Sequence, residues 1–301
     1  MTEAQEKFLE RVNSSYDKNR VEEAFLAGAS VEQVQKLWDM SASIINFRPA
    51  ICALAEGFDM SYAEYLARPD LKYNGDIILR SFKKGVTLEQ AKAYFSGKDE
   101  SSQIEGRSEL LINTTEEKAA PYLKQPFRLR QYECIVYGFK NGYTEEQIAL
   151  YAKPEIKTRT MQIACKLIDN HTDNKTIQLI TEQPFSNEQL DVLAEAAMDK
   201  VPASIIKLCA KRNSLPSKMR AIIQGYKEGF TEIQLFQLAD AKNYEVGEVF
   251  ERTKAENREK KPVCAAESYE SLKSSLTEMA GSLTGAQKKE LVDILLFGIM
   301  Q

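Results

Sequence analysis

One histidine and one tryptophan serve the whole of this 301-residue chain. With His171 alone there is no HExxH pair and no Cys/His zinc cluster, and no Ser or Cys has an evident histidine base. Cysteine is sparse too. Cys52, Cys134, Cys165, Cys209 and Cys264 are odd in number and lack CxxC spacing, which excludes a disulfide framework and fits a reducing compartment. No run of about 18 apolar residues exists, so no membrane span is expected. The stretch 1–20 is polar and has no apolar signal core, so the expected location is cytoplasmic. A formal net charge of -4 gives no overall basic balance of the kind nucleic-acid binders show. No strand is evident, and no glycine-rich phosphate loop follows one. Glu32, Glu89, Glu145, Glu146 and Glu232 sit in expected first turns of helices, where they favour the dipole, so they are not read as acid/base pairs. No catalytic residue, cofactor or metal is expected, and the chain reads as no enzyme.

What the sequence does have is a period. Hydrophobic residues make up 43% and charged residues 28%, a mix suited to a folded chain. A glycine followed two positions later by Ser or Thr recurs at Gly28, Gly85, Gly142 and Gly229, with Gly57 and Asp59 in the same phase. Spacing of about 29 residues places Asn113, Asn170 and Lys200 at the remaining anchors. Gly or Asn at such a position ends a helix in the left-handed conformation, a rule Lys200 does not fit. Ser30, Asp59, Thr87, Thr115, Thr144, Thr172 and Thr231 then stand where an N-cap belongs. Gln33, Gln90, Gln147 and Gln234 complete capping boxes. Several second helices stop near Pro69, Pro126, Pro154 and Pro184, which cannot continue them. Apolar residues keep register, three before the anchor (Phe25, Leu54, Phe82, Phe139) and nine after it (Leu37, Leu66, Tyr94, Tyr122, Tyr151). Helices this short are marginal alone and need stacked neighbours. The expected fold is therefore all-α, an α-solenoid of about eight short helical hairpins, with the tyrosines as packing residues and Trp38 in the core.

The expected organisation is an N-terminal capping helix over 1–20, the repeat array over 21–256, a polar linker over 257–266 and a C-terminal helical hairpin over 267–301. In that last stretch Tyr269, Leu272, Leu276, Met279 and Leu283 have helical spacing, as do Leu291, Ile294, Leu295 and Ile299. Such a hairpin either caps the array or mediates self-association.

Basic residues recur where the first helix of each hairpin begins: Arg48, Lys72, Arg128, Arg130, Lys157, Arg159, Lys218 and Arg220. Cations at a helix N-terminus oppose the dipole. These turns would line one edge, the acidic first turns the other. The basic edge is the candidate partner-binding surface, either for an acidic protein or for phosphates.

The phrase Gly142-Tyr143-Thr144-Glu145-Glu146-Gln147-Ile148-Ala149-Leu150-Tyr151-Ala152-Lys153-Pro154, echoed at Gly28 and Gly85, resembles short helical repeats of uncharacterised bacterial and mobile-element proteins. That resemblance covers roughly 16–241 and implies the fold but no activity. The phrase also looks like the start of transcription-activator-like effector repeats, which read one base per unit. Here the units are shorter, and no regular base-reading pair is visible. The expected function is a non-enzymatic scaffold or inhibitor that binds a partner protein, with nucleic-acid binding along the basic edge as the alternative.

Overall fold

Short helices account for most of the described residues; several begin on a capping side chain, and a left-handed residue stands at seven of the turns between them, Gly28, Gly57, Gly85, Gly142, His171, Lys200 and Gly229. A computed structural model describes residues 1–41, 43–210 and 214–259. Among the described residues there are eighteen α-helices, one 3-10 helix and no strand; the protein is all-α. The N-terminal stretch is two helices, not one. α1 spans Glu3–Glu10, and α2, Ser15–Leu26, already contains residues 15–20. The break falls there because Ser14 caps α2, its hydroxyl accepting from the Asp17 amide.

From α2 onward two kinds of helix alternate. The A helices are α2, α4 (Ile44–Ala55), α6 (Gly75–Lys83), α8 (Ser101–Asn113), α10 (Leu129–Lys140), α12 (Thr158–Asp169), α14 (Asn187–Met198) and α16 (Pro216–Lys227). Each is followed by a shorter B helix: α3 (Val31–Met40), α5 (Met60–Leu66), α7 (Leu88–Tyr94), α9 (Glu116–Leu123), α11 (Glu145–Ala149), α13 (Asn174–Thr181), α15 (Ala203–Cys209) and α17 (Glu232–Asp240). The 3-10 helix Pro69–Asn74 joins α5 to α6, and α18 (Val246–Glu259) follows α17. The chain divides into two compact units, Met1–Ile223 and a second starting at Gln224. In the first, each A helix from α2 to α12 packs on the next A helix, and B helices meet at α3 with α5 and α13 with α15. Of the expected linker, 257–259 are the end of α18. Residues 260–266, with Cys264, and the hairpin 267–301 lie outside the described residues.

The A-to-B turns are closed by a bond from the residue after the left-handed position back five residues, for example Ala29 N to Ala24 O at 3.0 Å and Tyr143 N to Gly138 O at 3.0 Å. Gly28, Gly57, Gly85, Gly142 and Gly229 all have positive φ. Two expectations are corrected here. Asn113 is the last residue of α8, and extended Thr114 follows it, so no left-handed residue marks that turn. Asn170 has φ -83°, and His171 takes the left-handed position at φ 53°. The backbone bond Thr172 N to Leu167 O sets that slot. The N-cap role therefore passes from Thr172 to Asp173, whose carboxylate accepts from the Thr176 amide and hydroxyl and is held below the usual range by those bonds. Lys200, unsuited by type, is also left-handed at φ 60°, and its ammonium reaches the Asn170 carbonyl. Gly142→Val should destabilise the chain by about 1–3 kcal/mol in thermal or urea unfolding, because a β-branched residue resists positive φ. An unchanged midpoint would mean that the turn re-forms another way.

Side chains at the expected inward positions are buried, among them Val34, Leu37, Leu66, Ala91, Tyr122 and Tyr151. Tyr94 is half-buried and donates to Glu116 Oε1 at 3.0 Å. Trp38 is half-buried, edge-on to Phe8 and Phe47. A polar row runs beside this core, at or near the N-terminal ends of the A helices. Asn46 Nδ2 donates to the Arg68 and Lys72 carbonyls (3.1 and 3.2 Å), Asn74 Nδ2 to Asp99 O (3.0 Å), Gln131 Nε2 to Pro154 and Ile156 O (3.0 and 2.7 Å), and Gln189 Nε2 to Ser214 O (2.8 Å). Each amide fastens the loop that leads into the next A helix, satisfying backbone groups that would otherwise be buried without partners.

Candidate functional site

The eight cations of the sequence reading fall into two groups. Four are engaged within the chain. Arg48 Nε and Nη2 grip the Asp17 carboxylate at 2.7 and 3.2 Å, and Asp17 is buried. Arg130 pairs with Glu133 at 2.8 Å, and Arg159 with Asp191 at 2.5 Å. Lys218 is buried, at 8% exposure, and has a partner. The other four, Lys72, Arg128, Lys157 and Arg220, are exposed and form no ion pair among the described residues.

Arg128 and Lys157 are the N-caps of α10 and α12, and neither side chain caps its helix. Ser, Thr, Asp or Asn there would satisfy an orphan amide. At Arg128 only the reverse bond forms, its own amide donating to Gln131 Oε1 at 2.9 Å. Lys72 sits at φ 53°, ψ -120°, a conformation that side-chain-bearing residues rarely adopt.

A groove of about 360 Å³ between α10 and α12 was not read from the sequence. Arg130 and Glu133 stand on one side, Gln162 and Lys166 on the other, with Cys134, Cys165, Tyr137 and Asp169 between them. The Asp169 carboxylate is held by two phenols: Tyr137 donates to Oδ2 at 2.8 Å and Tyr143 to Oδ1 at 2.5 Å. Tyr143 is also within reach of Cys165 O at 2.9 Å, and its ring lies edge-on to Tyr137. The bond to Asp169 raises the Tyr137 pKa; burial, then the same carboxylate, raises that of Tyr143. Cys165 Sγ donates to the Cys134 carbonyl at 3.9 Å. The neighbouring Cys165 thiol, then burial, pushes the Cys134 thiol up, while Cys134 beside it pushes the Cys165 thiol down. Gly138 makes room: a Cβ there would meet the Tyr151 hydroxyl at 2.3 Å, and that hydroxyl donates to Cys134 O at 3.1 Å. Both oxygens of the Asp169 carboxylate are thus occupied by phenol hydroxyls. The readable signal was Tyr137, an aromatic residue where other A helices place Glu23, Arg80 or Glu195.

Among the described residues no three His, Cys, Asp or Glu side chains cluster as a metal site, and no helix is long and apolar enough to cross a membrane. Comparison with family models, curated proteins and solved structures gives no match to the chain.

Proposed function

We propose that the chain is an α-solenoid acting as a non-enzymatic interaction scaffold or inhibitor, which receives an acidic protein partner on its basic edge. One observation carries this reading. Arg128 and Lys157 occupy helix N-caps, where a cation gives up a capping bond and opposes the dipole, yet neither has an acidic partner among the described residues. Residues that are unfavourable for their own helix and exposed are suited to an external use, and arginine is common among residues that dominate binding. Stacked short hairpins offer the extended surface on which such a partner would lie.

The test is the double variant Arg128→Glu, Lys157→Glu. Its unfolding midpoint should stay level or rise, because acids suit helix N-termini. Capture of the partner from native lysate should fall at least about tenfold, steered charge pairs being lost, with or without nuclease. Unchanged capture removes the basic edge from the account. Capture that vanishes on nuclease treatment transfers the edge to phosphate contacts, and binding should then weaken steeply with salt.

A further inference from the structure

The last B helix departs from the rest on its outer face. In the seven earlier B helices the residue two positions after the N-cap is Glu, Ser or Lys, as at Glu32, Glu89 and Ser204. Five positions after it comes a polar residue or alanine, as at Glu64, Lys92 and Lys207. After Thr231 the same two positions are Ile233 and Phe236, 72% and 55% exposed. They are three apart and so adjacent on one face of the helix. The inward face is ordinary: Leu235 and Leu238 are buried. None of the seven precedents places a large apolar side chain at either position, so the exception at α17 marks a face suited to being covered.

We propose that this face of α17 is the dock for the apolar stripe of residues 267–301 of the same chain. Position argues for that occupant. α18 runs back antiparallel along α17 and the turn before it: Phe230 packs on Phe250 and Lys254 pairs with Glu228 at 3.0 Å at that turn, and Gln234 of α17 bonds Asn257 at 2.8 Å. The end of α18 is thus brought beside the residue that adjoins Ile233. Nine residues lie between Glu259 and Tyr269, ten steps that reach up to about 33 Å, while α17 is only about 13 Å long. The stretch beyond has apolar residues at helical spacing, among them Leu272, Leu276, Leu291 and Ile294. A tether this short gives the segment an effective concentration of order millimolar, which a free partner or a second copy would have to exceed.

The full-length chain with p-benzoylphenylalanine in place of Phe236 tests this by photo-crosslinking at low micromolar concentration. The expected product migrates as a monomer, and its crosslinked peptides join 232–240 to 267–301. A product of twice the mass assigns the face to a second copy and overturns the proposal, as does the absence of any crosslink. In the Ile233→Glu, Phe236→Glu variant, amide exchange over 267–301 should speed up at least about tenfold while peptides from α18 stay unchanged. Exchange over 267–301 equal to that of the unsubstituted chain also overturns it.

Discussion

Arg107→Ala is expected to lower the stability of the first unit by about 3–5 kcal/mol, the cost of leaving a buried charge without its partner. Arg107 lies inside α8 with its side chain 8% exposed, and its Nη1 pairs with Asp99 Oδ2 at 2.8 Å, where Asp99 is itself 16% exposed. The same nitrogen donates to Tyr94 O at 2.7 Å, at the carbonyl end of α7, where a cation is favoured. Nε donates to the Tyr132 hydroxyl at 3.4 Å, and that hydroxyl reaches the Tyr122 and Gln125 carbonyls, both at 3.2 Å. One guanidinium thus joins the ends of α7 and α9 to the cores of α8 and α10. Urea unfolding followed by circular dichroism checks the value. A loss under about 1 kcal/mol would mean that water replaces the cation. The double variant Arg107→Met, Asp99→Leu should recover much of the loss, because removing both partners of a buried pair is milder than removing one.

Gly97→Val should be as damaging, about 3 kcal/mol or more, beyond the usual range for overpacking because nothing nearby can rotate away. A Cβ at Gly97 would fall 1.4 Å from the Asp70 carbonyl oxygen and 3.1 Å from Leu71 Cα. Both obstacles are backbone of the 3-10 helix Pro69–Asn74, so that helix and the loop holding Gly97 must separate. Gly247 supplies the contrast. It lies in α18 with nothing within 4 Å of an added Cβ, and Gly247→Ala should stabilise by roughly 0.5–1 kcal/mol through helix propensity. Thermal unfolding of the two variants should move in opposite directions; a Gly97→Val midpoint within a degree of the unsubstituted chain would show that the 3-10 helix and the Gly97 loop do not meet this closely.

Helix alternation was legible because it is written in local chemistry. Ser30, Thr87, Thr144 and Thr231 each form the capping box that their Gln partners promise. The turn at His171 was not legible, because spacing points to Asn170 while a backbone hydrogen bond decides which residue goes left-handed. Positions of the basic residues could be read, but their pairing could not. Asp17 and Asp191 lie 31 and 32 residues from Arg48 and Arg159, across to a neighbouring A helix, a relation that only packing reveals. The α10–α12 groove escaped for a similar reason: Cys134 and Cys165 read as small apolar residues, and Tyr137 gains meaning only beside Asp169. The apolar face of α17 is legible in the sequence by position, because Ile233 and Phe236 fall where the earlier B helices carry polar residues or alanine.

The amide row has a consequence for how such a chain can change its length. Every acceptor in it is a main-chain carbonyl, a group that all residues possess. An amide at the start of one hairpin therefore tests the distance to the next loop and is blind to the side chains found there. In the loops so joined, a side-chain substitution that keeps the backbone path leaves the carbonyl in place and the joint intact. An insertion of one residue in a loop, however conservative its chemistry, moves the carbonyl away and breaks the joint.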